Sequence, residues 1–303
     1  MTVRVGIAQF APVPLDLDRS VTKAIAVIRQ AGKDGIKLLA FPETWLPTYP
    51  FWCDLGTFSK WGDARSKKLH ARLAKNSLEV GSKAFKRLQT AIKAAKIHVV
   101  MGANERAGRS LYNTMFFFDD RGALIGHHRK LVPTFGERLV WGYGDGEGLR
   151  AYDTPFGKIG GLVCWEHWMP LARQALHEQS EMIHVAAWPH AHGMHQTASI
   201  HYAFEGRCFV LMAGSYLEKR MLPKDYELMD EMAAEPEVIL NGGSAIIGPN
   251  GAYVVQPVYG REALVAGDID LDQATAESLT LDVAGHYSRP DVFEFAVRRR
   301  RRT

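Results

Sequence analysis

Short apolar runs alternate with helix-spaced segments along most of this chain. Residues 3–9 alternate and are rich in β-formers, which predicts a first strand. Over residues 20–31, Val21, Ile25, Val27 and Ile28 recur at helical spacing, with Ser20 as the expected N-cap and Gly32 as the expected C-cap. Residues 36–41 form a short apolar run that ends at Pro42-Glu43, and residues 97–102 form another; both read as buried strands. Between them, residues 69–96 read as helix with a break near residues 76–81. Residues 111–118 and 123–128 flank Asp119-Asp120-Arg121-Gly122, a hairpin signal. The alternation continues with strand over 157–164, helix over 170–179, strand over 182–187, helix over 196–207 and strand over 209–215. Two further runs, 244–247 and 252–255, bracket the turn Gly248-Pro249-Asn250-Gly251, and residues 264–269 make a last strand. The charged stretch 217–236 is expected to be a surface excursion.

Strands alternating with helices, together with hairpins, indicate an α/β fold built on a mixed sheet. With no Pro/Ser-rich linker and no internal repeat, residues 1–290 are expected to form one domain, followed by a basic tail over 291–303. Apolar residues are 47% of the 303 and charged residues 23%, which excludes disorder over most of the length. The net charge of +4 comes from five consecutive arginines, Arg298 to Arg302; without them 32 basic residues face 33 acidic ones. The body is therefore neutral, and aromatic and basic residues are not interleaved along it, so no nucleic-acid partner is expected. The three cysteines, Cys53, Cys164 and Cys208, include no C-x-x-C pair and suggest neither a disulfide framework nor a cysteine zinc site. The N-terminus is too short and too alternating for a signal peptide, and no apolar run approaches about 18 residues, so a cytoplasmic protein without membrane contact is expected.

The chemistry concentrates at strand ends. Cys164 sits where an apolar strand gives way to a helix, where the positive end of the helix is expected to lower its pKa and backbone N–H groups to face a developing oxyanion. Glu43 and Lys130 also follow strands, and ligand sites in α/β sheets form beyond the carboxyl ends of strands. The trio makes chemical sense: a cysteine nucleophile, a carboxylate that takes and returns its proton, and a lysine that holds negative charge. Taken singly, each has a plain alternative as a buried core cysteine, a solvated glutamate and a surface lysine. A second reading places a metal on His190-x-His192-x-x-His195, with His184 nearby, but no acidic ligand lies within 182–200. Gly142 to Gly148 is glycine-rich without matching a P-loop.

The order Glu43, Lys130, Cys164 resembles the catalytic triad of the carbon–nitrogen hydrolase (nitrilase) superfamily. The similarity to true nitrilases runs through His128-Arg-Lys-Leu-Val-Pro-Thr134, Glu137-Arg138, Trp141-Gly142, Gly144-Asp145-Gly146 and Cys164-Trp165-Glu166, with further likeness at 41–47, 205–209, 242–246 and 285–290. The resemblance implies a four-layer αββα sandwich that assembles as a homodimer or larger homo-oligomer. It implies hydrolysis of a small-molecule nitrile by two waters to a carboxylic acid and ammonia, without cofactor or metal. By the same resemblance Glu43 is the general base, Lys130 binds the charged intermediate, Cys164 attacks the nitrile carbon and Glu137 is a second acidic residue of the site. The Trp165 N–H is the matching oxyanion donor, and Trp165, Trp188 and His190 are expected around the substrate. The alternative within the superfamily is an aliphatic amidase using the same triad; Trp165-Glu166 after the cysteine favours the nitrilase.

Overall fold

The computed structural model describes residues 1–300; Arg301 and Arg302 of the arginine run lie outside the described residues. In chain order the elements are β1 (Thr2–Gln9), α1 (Leu17–Lys33), β2 (Leu38–Ala40), α2 (Ala64–Lys75), α3 (Lys83–Ala95), β3 (His98–Ala107), β4 (Ser110–Phe118), β5 (Leu124–Arg129), β6 (Tyr152–Thr154), β7 (Gly157–Val163), α4 (Pro170–His177), β8 (Ile183–Trp188), α5 (Met194–Gly206), β9 (Phe209–Gly214), β10 (Tyr216–Glu218), β11 (Val238–Ile247), β12 (Tyr253–Tyr259), β13 (Ala263–Asp270) and α6 (Asp272–Glu277). They form two sheets. One has the order β13-β1-β2-β3-β4-β5, the other β10-β11-β9-β8-β7-β6, with β12 paired to β11.

Alternation along the strands builds the layers. Val3, Val5 and Ile7 of β1, with Met115 and Phe117 of β4, join one apolar core with Ile159 of β7, Val185 of β8 and Leu211 of β9. Phe116 and Phe118, one residue out of phase, bury with Val21 and Ile28 of α1 and Phe85, Leu88 and Ile92 of α3. Ala172, Ala175 and Leu176 of α4 and Tyr202 and Ala203 of α5 cover the second sheet from its far side. The result is helices, sheet, sheet, helices: the expected αββα sandwich.

Local chemistry moves two of the expected boundaries. Helix α1 starts at Leu17, because the Asp16 side chain caps the Arg19 N–H at 3.0 Å; Ser20 is buried inside the first turns and exchanges hydrogen bonds with Val13. Gly32 lies within the helix, where a Cβ would come to 3.0 Å from the Ala95 carbonyl oxygen, so it sets the closeness of α1 to α3 rather than the helix end. Residues 217–236 are not a bare surface excursion. Their charges meet α2 through Arg65–Asp230 at 2.8 Å and Arg72–Asp225 at 3.2 Å, while Leu217, Leu222, Tyr226, Leu228 and Met232 are buried with Trp52 and Trp141 in a third core. From 291 through 300 the chain forms no helix or strand, and Phe295 and Val297 rest partly buried against the central core.

Candidate active site

Strand direction brings the chemistry to one place. β2 runs parallel to β1 and β3, and β5 recovers that direction through two antiparallel steps, β3–β4 and β4–β5. Glu43 and Lys130 therefore leave the same end of the first sheet, and Cys164 leaves the end of β7 in the second. The sheets are tied there by the Glu43 N–H donating to the Trp188 carbonyl at 3.3 Å. Within the first sheet, glycine lets the chain after β2 lie tight against β3: a Cβ on Gly102 would lie 1.9 Å from the Pro42 oxygen.

Lys130 is the centre of the cluster and is 1% exposed. Its Nζ lies 3.0 Å from Glu43 Oε1 and 2.6 Å from Glu137 Oε2. Asn113 Nδ2 donates to the same Glu43 oxygen at 2.6 Å, while no protein donor meets Glu43 Oε2. Tyr49 donates to Glu137 Oε1 at 2.8 Å, and the Thr134 N–H donates to Oε2 at 2.6 Å. Ligand atoms of Glu43, Glu137 and Cys164 all lie within 4.8 Å of one another, the one such convergent group among the described residues. The Lys130 ammonium supplies the positive charge at this convergence. The rings of His190, His192 and His195 meet edge-on or tilted at separations of 4.5, 4.9 and 6.2 Å, and among the described residues they form no convergent set of ligand atoms.

Electrostatics divide the roles. Burial, helped by Glu137, pushes the Glu43 carboxyl up to about 7 against the opposing pull of Lys130. Burial also opposes the Lys130 charge, but Cys164, Glu43 and Glu137 outweigh it and hold the ammonium protonated. The Cys164 thiol is raised well above its ordinary value by burial and by Glu43; Lys130 and a hydrogen bond from the Trp165 N–H pull the other way without overcoming them. This corrects the expected depression. Cys164 is followed by only a five-residue 3-10 turn, Cys164–Trp168, before α4, and so short a turn does not offset full burial. The thiol rests protonated beside a carboxylate able to accept its proton, in a cluster that retains a cation. Cys164 itself holds φ at +51°, a left-handed conformation rare for a residue with a Cβ.

Glu166 has a part that its place in the Cys-Trp-Glu motif did not reveal. It is buried and accepts from the Leu131 N–H at 2.7 Å, the Val163 N–H at 2.7 Å and His128 Nε2 at 2.9 Å. One carboxylate thus clamps the residue after Lys130 to the residue before Cys164. Burial opposes its charge, but His128 and the two N–H groups outweigh it and hold its pKa low.

A cavity of about 590 Å³ opens over Cys164 and Glu137. Its walls include Tyr49, Phe51, Phe135, Trp165, Ile239 and Leu240, with Asp54 and Glu235 also lining it. Trp165, 54% exposed, and His190 line the cavity. Trp188 is fully buried behind the wall, stacked on His195 at 4.7 Å. Asn113 and Tyr49, which hold the two carboxylates, had no marker in the sequence.

The model of the carbon–nitrogen hydrolase family matches residues 4–277. A nitrilase of Talaromyces marneffei is 39% identical over 97% of this chain and 95% of its own length. A bifunctional nitrilase/nitrile hydratase of Nicotiana tabacum is 35% identical over 98% of this chain and 86% of its own. A carbon–nitrogen hydrolase structure from Helicobacter pylori superposes with a TM-score of 0.71 at 18% identity, covering 92% of this chain and 93% of that one, and supports the sandwich fold. With near-complete coverage in both directions, this chain belongs to the carbon–nitrogen hydrolase family, on its nitrilase branch.

Proposed function

We propose that this protein hydrolyses an organic nitrile to the carboxylic acid and ammonia through covalent intermediates on Cys164. The observation that carries the reading is the buried cage in which Glu43 keeps one oxygen free of protein donors beside the thiol while Lys130 holds the other. Glu43 takes the Cys164 proton as sulfur bonds to the nitrile carbon, and the proton passes to nitrogen, giving a thioimidate. A water adds to that carbon, giving its proton to Glu43. The tetrahedral centre then bears sulfur, oxygen and nitrogen. That proton passes to nitrogen to give an amine, and transfer of the remaining hydroxyl proton to the same nitrogen, again through Glu43, expels ammonia as the carbonyl forms and leaves a thioester. A second water, activated by Glu43, releases the acid and restores the thiol. Lys130 and the Trp165 N–H stabilise the negative charge that gathers at each addition. Glu137 holds Lys130 in place.

The nitrilase names of the relatives support nitrile over amide as substrate, and the aliphatic amidase is not favoured. The aromatic walls and size of the cavity favour nitriles carrying a bulky apolar group over the smallest ones. The same proposal takes residues 1–290 as one catalytic domain followed by a basic tail whose arginine run is dispensable, assembled as a homodimer or larger. Leu171, Tyr287 and Phe293, exposed along one surface groove, support a covered face. Three free, buried cysteines suit a reducing compartment such as the cytoplasm, and among the described residues no helix is long and apolar enough to cross a membrane.

The test is ammonia release over paired nitriles and amides. Cys164→Ala abolishes turnover while Cys53→Ala and Cys208→Ala retain most of it; faster hydrolysis of the amide in every pair overturns the nitrilase reading.

A further inference from the structure

A line of buried polar groups leads away from Cys164 into the layer between the second sheet and its helices. His167 Nδ1 lies 2.7 Å from the Cys164 carbonyl oxygen. His167 Nε2 lies 3.0 Å from His184 Nε2, and His184 Nδ1 lies 3.1 Å from Glu181 Oε2. Tyr202 donates its hydroxyl to the other Glu181 oxygen. All four side chains are buried, and none of them lines the cavity.

The direction of every bond follows from what each atom can give. A carbonyl oxygen only accepts, so His167 Nδ1 carries a hydrogen. Burial, reinforced by His184, holds the His167 pKa down to about 3, so its ring is neutral and Nε2 is a bare acceptor. His184 Nε2 must then donate. Burial and His177 hold the His184 pKa far below its ordinary value, so its Nδ1 in turn needs a donor. The one atom there is Glu181 Oε2, which donates only as a carboxylic acid. An ionised Glu181 beside a neutral His184 draws the imidazole hydrogen to Nδ1 and sets two bare nitrogens facing each other at 3.0 Å.

We propose that Glu181 holds a proton, shared with His184, and that Glu181, His184 and His167 form a one-way hydrogen-bond chain that positions Cys164. The chain fixes the carbonyl of a residue held at φ +51°, a conformation that the surrounding structure must enforce. His167 also stacks on Trp188 at 4.8 Å, and Trp188 on the cavity-lining His195, so the chain braces the pocket wall as well. Glu181 is enclosed by protein, and its burial favours the proton. Facing it are His177 from α4, whose Nδ1 is 3.8 Å away, Tyr202 from α5, Cys208 after α5, and Gly160 of β7, where a Cβ would come to 2.0 Å from Oε2. His177 is drawn toward Glu205, which binds Arg173 at 2.6 Å. Burial pushes the Glu181 carboxyl up to about 7 against the opposing influence of His177 and Tyr202.

The positioning role rests on Cys164 being the nucleophile; the protonation state does not, so the tests separate. Infrared difference spectra of the full chain below neutral pH should show a protonated carboxyl band that shifts in heavy water. It should fade as the pH rises past about 7, and Glu181→Gln should remove one carboxyl component while leaving the one that Glu43→Gln removes. Glu181→Gln reproduces the donor and acceptor of the acid and should keep kcat within about a factor of three of wild type. Glu181→Leu and His167→Phe, which break the chain while keeping bulk, should lower kcat roughly tenfold, the worth of one buried hydrogen bond, with KM little changed. Alkylation of Cys164 by iodoacetamide should slow in parallel, a readout independent of nitrile turnover. Absence of the component that Glu181→Gln removes overturns the proposal. So does a Glu181→Gln protein that fails to fold or loses as much activity as Glu181→Leu. Wild-type kcat and alkylation rate in both chain-breaking variants overturn the positioning role.

Discussion

Lys130→Met removes the charge at the centre of the cage and keeps most of its bulk. In the native protein the ammonium is the cation at 3.0 Å from Glu43 and 2.6 Å from Glu137. Removing one partner of a buried ion pair costs about 3–5 kcal/mol if the other stays charged. The variant escapes part of that cost by protonating Glu43, whose pKa already stands near 7 and which loses both the Lys130 charge and its hydrogen bond. The escape disables the base, because a protonated Glu43 accepts no proton from Cys164. Loss of the cation at the charged intermediate alone is worth roughly 10²–10³ in rate. Single-turnover acid formation, followed against pH, separates the two effects. In the wild type the rate rises through about pH 7 as Glu43 ionises. In Lys130→Met that rise moves to higher pH and its plateau falls. Stability follows the same group. The folded pKa of Glu43 lies above its ordinary 4.5, so its contribution is full below about pH 4.5 and is lost as the pH rises through about 7. In the variant the loss continues further into the alkaline range. An unshifted rise with a near-normal plateau refutes this account of the cage, as does full recovery in Lys130→Arg, whose wide planar fork does not fit a site made for a point charge.

Glu166→Ala leaves the Leu131 and Val163 N–H groups and His128 without their shared acceptor; thermal unfolding should show a loss of at least about 3 kcal/mol, and kcat should fall as the two strand ends separate. Asp54 and Glu235 make the cavity lining acidic, so neutral aryl nitriles should show higher kcat/KM than cyano-carboxylates of similar size, and Asp54→Asn combined with Glu235→Gln should narrow the gap. Equal kcat/KM for both classes in the native protein contradicts that reading of the cavity. Deleting residues 298–302 should leave turnover nearly unchanged, measured as ammonia release per subunit.

Glu43, Lys130 and Cys164 were legible because each follows a short apolar strand, and strand ends are where an α/β sheet gathers ligands. Their supports were not. Asn113 and Tyr49 reach the carboxylates from positions 70 and 88 residues away from their partners, through pairings that no local pattern records. Glu166 stood in a recognised motif, yet its partners lie on two different sheets. The start of α1 differs from the expected one because Asp16 and Ser20 are both good caps, and only the fold shows that the Asp16 side chain reaches the free N–H. The stretch 217–236 looked solvated because its charges face α2 while its apolar residues follow no regular period. The thiol pKa departs from the expected depression because burial depth is a tertiary property, and here it outweighs both the turn and the lysine.

The central claim is that the nitrile carbon becomes bonded to Cys164. Rapid-quench mass spectrometry during turnover of an aryl nitrile tests it most directly. The account predicts a transient protein species heavier by the whole nitrile or by its acyl group, mapped to the peptide that holds Cys164. Glu43→Gln should form it slowly, and Cys164→Ala should not form it at all. Acid and ammonia released at full rate with no adduct on Cys164 would contradict the account.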